Sequence, residues 1–225
     1  MRLSHPMFSA PIVWKEGRIP VLVLEHPQTF RSMVFSLGRQ ARGEDGDFVL
    51  SLDFEPMDCA EHLHVIFDYT SLALDDRKLQ NRFQAFLQSL VHEELAEKTD
   101  CLQQTIVQYL RDFCTYLDYP VSFCEGEYVL PLLKALKCQP TLNAEHPLER
   151  LMQYIELYHG FMKEQCFVLV HAHCYFSEQE LSELYRMAAY QKWKIFLVEQ
   201  HFSSPLPQED VFLIDESFCE LHLDS

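Results

Sequence analysis

Glycine is scarce in this sequence, which has six glycines among its 225 residues. The phosphate-cradling patterns G-x-x-x-x-G-K-[ST] and G-x-G-x-x-G do not occur, and neither does the G-x-S-x-G nucleophile elbow. Glycine-rich turns let the backbone approach a phosphate closely. The sequence therefore argues against ATP hydrolysis, and we expect no bound nucleotide.

Three further features are missing. None of the eight cysteines forms a C-x-x-C pair, and no apolar run reaches the ~18 residues that a membrane span requires. The N-terminal segment MRLSHPMF also lacks the apolar region of a signal peptide. We expect reduced, mostly buried thiols, a cytoplasmic location and no membrane partner.

Positive charge is also in short supply, with 18 Lys and Arg residues against 34 Asp and Glu residues, a formal net charge of −16. Taken alone, this balance argues against nucleic acid as a partner. The charge is unevenly spread, because residues 1–42 carry six cations and two anions. An anionic partner would have to bind a local basic surface.

The most informative stretch is Cys166 to Gln200. It opens and closes with short apolar runs that predict buried strands, Phe167 to Val170 and Ile195 to Val198. Between them, Ser177 precedes an amphipathic pattern and predicts the N-cap of a helix. A strand, a helix and a strand in this order predict a βαβ unit with parallel strands, and hence the α/β class.

The remaining patterns predict a divided chain. Further strands are expected at Ile19–Leu24 and at residues 48–52, 63–67 and 211–214. Helical spacing runs from Asp76 to Leu117, as one long helix or as two joined near Lys98–Asp100, and a short helix returns over residues 128–136. We predict an α/β head domain with a mainly parallel sheet at 1–72 and 138–225, and an inserted helical leg domain at 73–137.

His171 and His173 are candidates for catalysis. Two apart at a strand end, their side chains would share one face and bind a catalytic metal, with Asp215 or Glu199 completing the site. On this interpretation, the protein would be a metal-dependent hydrolase. The alternative is that the two imidazoles cap a strand edge and bond to backbone.

Two other groups of charged residues have alternative interpretations. Asp118, Glu125 and Glu127 surround the turn after the long helical stretch and form either a calcium site or a solvated acidic loop. The basic residues form either solvated helix faces or a DNA-facing surface. The basic candidates are Arg77, Lys78, Arg82, Lys134 and Lys137 in the predicted leg, and Arg31, Arg39 and Arg42 in the predicted head.

The order of these features resembles a known family, the small ring-forming protein of the type II-A CRISPR adaptation module. The matching segments are Pro11-Ile12 and Gly17 before Val21–Glu25, the helical insertion, Lys134–Leu136, Phe176-Ser177 with Glu180-Leu181, the strand ending in Glu199, and Val211–Ile214 followed by acids. Together they span nearly the whole chain.

The resemblance implies a non-enzymatic homotetrameric ring that takes part in spacer acquisition. It implies a degenerate nucleotidase-like head without a phosphate loop, helical legs, and calcium bound near subunit contacts by Glu125, Glu127 and Asp118. It also implies that double-stranded DNA ends pass through a basic central hole without sequence readout, and that the ring works with other CRISPR adaptation proteins. A further alternative is a scaffold for those proteins with no DNA contact of its own.

Overall fold

The structure is a computed structural model that describes residues 1–124, 126–201 and 204–224. The strands within these residues are β1 (Arg2–Ser4), β2 (Ile12–Val13), β3 (Ile19–Leu24), β4 (Val49–Leu52), β5 (Glu55–Met57), β6 (Leu63–Ile66), β7 (Cys166–Val170), β8 (Lys194–Glu199), β9 (Glu209–Ile214) and β10 (Glu220–Asp224). The helices are α1 (Pro27–Gln40), α2 (Cys59–His62), α3 (Arg77–His92), α4 (Ala96–Thr115), α5 (Val129–Ala135), α6 (Pro147–Phe161), α7 (Ala172–Tyr175) and α8 (Glu178–Gln191).

The larger sheet has six strands in the order β10-β9-β3-β8-β7-β6. Its strands pair in parallel except β10, which is antiparallel to β9. In the βαβ unit, β7 and β8 lie side by side with Val168 opposite Phe196. The predicted α/β class and the predicted parallel pairing are confirmed.

The helix of that unit begins where the sequence predicts. Ser177 Oγ accepts a hydrogen bond from the Glu180 amide, while Glu180 Oε2 accepts one from the Ser177 amide at 2.8 Å, which completes a capping box. The apolar face buries Leu181, Leu184 and Ala188, among others. The capping residues and the apolar periodicity therefore place the start of α8 at the same position.

The core follows from the alternation of side chains along the parallel strands. Leu22, Val168 and Phe196 join α1 in one buried cluster on one side of the sheet. Phe167 points the other way, and its ring lies 6.4 Å from that of Tyr154 on α6. Since both faces are covered, the strands read as continuous apolar runs.

A smaller antiparallel sheet, in the order β2-β1-β4-β5, packs against the same core. Its strand β4 matches the prediction for residues 48–52, but β1, β2 and β5 are too short to be recognised from sequence periodicity. Trp14, just after β2, donates its indole N–H to the Ile195 carbonyl at 2.8 Å. The small sheet is thereby tied to β8.

By proximity, the chain groups into one compact unit of residues 1–73 and 142–225, the α/β unit, and a second of residues 74–141, the helical unit. In the helical unit, the break between α3 and α4 falls at residues 93–95 and not near Lys98–Asp100. Glu93 and Glu94 oppose the dipole at the end of α3, whereas Glu97 suits the first turn of α4. The charges therefore favour an earlier break.

The thiols correct one expectation. Two of the eight cysteines, Cys59 and Cys166, are buried, and four are exposed, so they are not mostly buried. Sequence composition cannot assign burial to individual cysteines. In the part of the chain that the structure describes, no helix combines the length and the apolarity that crossing a bilayer requires.

Candidate functional site

The turn after β3 is the position where nucleotide-binding folds hold phosphate. Here it contains Glu25 and His26, and Pro27 opens α1 directly. His26 provides no side-chain cap, and the turn has no glycine. A backbone of this composition cannot wrap closely around a phosphate chain.

His171 and His173 do not share one face, in contrast to the prediction. β7 ends at Val170, His171 takes a left-handed conformation with φ of 57°, and α7 follows. Because the segment turns as a helix and not as a strand, residues two apart diverge. His171 Nδ1 lies 3.7 Å from Glu199 Oε2, whereas His173 Nε2 lies 2.7 Å from Glu209 Oε1.

Glu199, the last residue of β8, is fully buried. Its Oε1 accepts a hydrogen bond from the His173 amide at 3.0 Å, which holds the carboxylate against the start of α7. Burial raises its pKa to about 7, amide hydrogen bonds from His173 and Ala172 partly oppose this, and the charge of Glu209 adds to it. Glu199 therefore changes its charge near neutral pH.

Glu209 is the centre of a second buried network that sequence patterns did not indicate. It accepts hydrogen bonds from the Tyr185 hydroxyl at 2.5 Å and from the Leu206 amide at 2.9 Å, besides its contact with His173. Burial raises the pKa of Glu209 and lowers the pKa of His173. With both of its oxygens engaged, this carboxylate holds Tyr185 and His173 in place.

Cys174 joins His171 and Glu199 in a cluster in which the potential ligand atoms lie within 4.8 Å of one another. Cys174 was not among the predicted ligands, although three-residue spacing places His171 and Cys174 on one side of a helical turn. Asp215, the other predicted ligand, instead accepts hydrogen bonds from the amides of Ser217 and Cys219. It therefore shapes the turn between β9 and β10.

Two of the three predicted calcium ligands, Asp118 and Glu127, lie in the loop before α5. Glu127 faces His92 at 3.2 Å, with both side chains about half exposed, and Asp118 is exposed. Glu125 lies outside the described residues. Within residues 1–124, 126–201 and 204–224, the group around His171 is the one cluster of three or more potential ligands, so Asp118 and Glu127 belong to none.

The basic candidates of the helical unit lie on two elements. Arg77, Lys78 and Arg82 are exposed on α3. Lys134 lies in the last turn of α5, and Lys137 follows it in a left-handed conformation with φ of 53°. Cations at a helix C-terminus suit its dipole.

Three basic candidates remain in the α/β unit: Arg31 and Arg39 lie on α1, and Arg42 follows it. Arg42 is exposed, and its guanidinium lies 3.7 Å from Glu44 Oε1. Arg31 is exposed and lines a shallow apolar pocket with Phe35 and Phe67. Arg39 Nε donates to Glu44 Oε2 at 2.6 Å, so an acidic side chain offsets its charge. The structure thus places Arg31 and Arg39 in different electrostatic surroundings.

Comparison with known proteins shows the family. The family model described as CRISPR-associated protein (Cas_Csn2) matches residues 40–218, about four-fifths of the chain. A comparison with curated proteins finds no significant match. The matched span contains the whole helical unit and the His171 cluster, and on this match the chain belongs to the Csn2 family of type II-A CRISPR adaptation proteins.

Proposed function

We propose that the protein is a non-enzymatic ring that binds double-stranded DNA ends during CRISPR spacer acquisition. The family match over residues 40–218 is the observation that carries this proposal. The glycine-free turn after β3 supports it, because a nucleotide-driven activity would need a phosphate loop at that place. The head-and-leg organisation and the homotetramer belong to the same proposal.

Charge determines how such a protein holds DNA. With a net charge of −16, most of its surface repels phosphates, so the contacts must come from a few local cations. The exposed cations of α3 and α5 are the candidates in the helical unit, and Arg31 is the candidate on α1. Arg39 contributes less because Glu44 offsets its charge.

The exposed apolar surface of α4 supports assembly. This 20-residue helix has no buried residue, and its exposed side chains include Tyr109 and Phe113. Exposed apolar faces of this kind are typical of protein contacts. In the proposed ring, calcium bound by Asp118, Glu125 and Glu127 strengthens those contacts.

The alternative of a metal-dependent hydrolase with His171 and His173 as joint ligands receives no support. Its two histidines are held by different carboxylates, so they do not present two nitrogens to one ion. The scaffold without DNA contact differs from the ring in one measurable property, which is DNA affinity.

Band-shift titrations test the DNA proposal with the full-length protein. A ring that encloses DNA binds linear duplex, does not bind covalently closed circles, and loses affinity steeply with salt. Changing Lys134 and Lys137 to Glu weakens binding and makes the salt slope shallower by about 2, since each lost phosphate contact removes about 0.9. Lys163→Glu, an exposed cation of the α/β unit outside the candidate set, is the matched control.

Four outcomes test these hypotheses. Equal affinity for linear and closed DNA rejects end threading, and no affinity for either favours the scaffold. An equal loss with Lys163→Glu rejects the assignment of Lys134 and Lys137. Light scattering with and without a calcium chelator tests assembly, and a mass that stays below four chains in calcium rejects the tetramer.

A further inference from the structure

The end of β7 and the end of β8 bring together a nitrogen, a sulfur and a carboxylate oxygen from His171, Cys174 and Glu199. We propose that these three side chains form a binding site for a transition-metal ion of the zinc class. The site shares no residue with the calcium ligands considered above.

Local structure builds the site from a short segment. The His171 amide donates to the Val198 carbonyl at 3.0 Å, which ties the turn after β7 to the end of β8. The Cys174 amide donates to the His171 carbonyl at 3.1 Å, which folds residue 174 back over residue 171. The His171 ring also lies 4.6 Å from the ring of Phe30, so its orientation is restricted.

Glu199 is the residue that indicates a ligand. Its side chain is 0% exposed, and its Oε1 is held by the His173 amide. Its Oε2 accepts no hydrogen bond within the described residues and faces His171 Nδ1 at 3.7 Å. A buried carboxylate oxygen without a hydrogen-bond donor lowers the stability of the fold, and a bound cation compensates for the lost solvation.

The spacing suits a tetrahedral ion. With metal–nitrogen and metal–oxygen bonds of about 2.1 Å, two ligands of a tetrahedral zinc ion lie about 3.4 Å apart. The observed separation of 3.7 Å between Nδ1 and Oε2 is close to this value. Cys174 is exposed, so its side chain can rotate to close the remaining distance.

The donor types select the ion. Thiolate and imidazole favour zinc and its neighbours in the transition series, whereas calcium takes oxygen ligands. Binding releases the thiol proton, and one thiolate with one carboxylate then balances the charge of a divalent ion. His173 is not a ligand because Glu209 holds its Nε2.

Three ligands leave a fourth position on the exposed side of the cluster, where His171 is 42% exposed. Water or a partner's side chain would fill it. Since the loss of any one ligand leaves only two, each of the three residues is necessary.

Cobalt(II) added to chelator-treated full-length protein tests the site, because cobalt reports thiolate ligation by charge-transfer absorption. We expect one cobalt per chain, displaced by one equivalent of zinc and unaffected by calcium. Cys174→Ser abolishes the charge-transfer absorption, and His171→Ala and Glu199→Gln weaken cobalt binding by roughly tenfold or more. Cys101→Ser, another exposed cysteine, and His159→Ala, another exposed histidine, leave binding unchanged.

The proposal is overturned if wild-type protein shows no thiolate absorption, or if Cys174→Ser keeps it. It is also overturned if Cys101→Ser removes it, since the site is then elsewhere. Circular dichroism of metal-free Cys174→Ser and Cys174→Ala confirms that each variant folds. These readouts are independent of DNA binding, so they stand apart from the proposed function.

Discussion

The α/β unit and the helical unit use their apolar residues in different ways. Every residue of β3 and β7 is buried, whereas none of the 20 residues of α4 is. The first unit has an apolar core of its own, which encloses these strands. The second keeps large apolar side chains at its surface, which suits a region that works through contacts with other molecules.

Core truncation tests this contrast most strongly. Phe167→Ala in β7 lowers the free energy of unfolding by about 3–5 kcal/mol, because it leaves a cavity in a closed core. Tyr109→Ala on α4 changes it by under about 0.5 kcal/mol, because the ring is 67% exposed. Urea unfolding of dilute protein, in the presence of a metal chelator, measures the free energy of unfolding of both variants. Similar losses from the two variants contradict the contrast.

Two glutamines provide a matched pair. Gln40 holds both the amide and the carbonyl of Phe48 at 2.9 Å inside the α/β unit, so Gln40→Leu leaves two buried groups without partners and costs about 2–3 kcal/mol. Gln103 binds the Tyr128 amide and the Gly126 carbonyl in the helical unit, near solvent. Gln103→Leu costs under about 1 kcal/mol because water replaces the side chain. Thermal unfolding of both variants shows which one loses more stability. A larger loss for Gln103→Leu than for Gln40→Leu contradicts the expected difference between the two units.

We expect the buried ion pairs of Asp210 in the α/β unit to contribute more to stability than an exposed ion pair in the helical unit. Burial alone would raise the pKa of Asp210, but hydrogen bonds and charges from Lys15 and Arg18 outweigh it and lower the pKa below its ordinary value. These interactions therefore stabilise the fold above the unfolded-state pKa of about 4, and that stability is lost as the pH falls through the folded-state pKa. Asp210→Asn costs about 2 kcal/mol at pH 7 and removes this acid-dependent component.

The exposed pair in the helical unit is the control for that measurement. Glu127 and His92 are each about half exposed, so Glu127→Gln costs under about 1 kcal/mol. Urea unfolding at pH 3 and pH 7 compares the two variants with wild type. If Asp210→Asn keeps the full acid dependence of wild type, another carboxylate is responsible.

Helix caps give the smallest expected difference. Ser177→Ala removes a capping box from α8, and Asp76→Ala removes the carboxylate that accepts from the Lys78 amide at the start of α3. Each costs about 1 kcal/mol, since a cap is a local interaction that does not depend on the surrounding core. Differential scanning calorimetry measures both. A difference of several-fold shows that even capping depends on the unit.

Much of the α/β unit is predictable from sequence because its signals are local and consistent. Apolar runs located β3, β7 and β8, and Ser177 located the start of α8. The wrong predictions came where a local period was assumed to continue. Strand periodicity predicts that His171 and His173 share one face, but the chain turns at His171, and Cys174 then lies near His171.

The candidate site was only partly predictable. The position of Glu199 at a strand end predicts a possible ligand, whereas no sequence pattern indicates that Glu209 and Tyr185 interact. Their hydrogen bond joins residues 24 positions apart, and it exists only because α8 packs against the sheet. No sequence spacing encodes that distance.

The sequence by itself determined the α/β class, the parallel βαβ unit and the absence of a phosphate loop, because periodicity and glycine content are properties of short segments. Tertiary structure alone decided which charged groups meet. Burial and strand register placed Glu199 beside His171 and Cys174, and placed His173 in contact with Glu209. They also left large apolar side chains of α4 exposed. Those choices depend on packing between segments far apart in the chain, where small shifts of register change every partner.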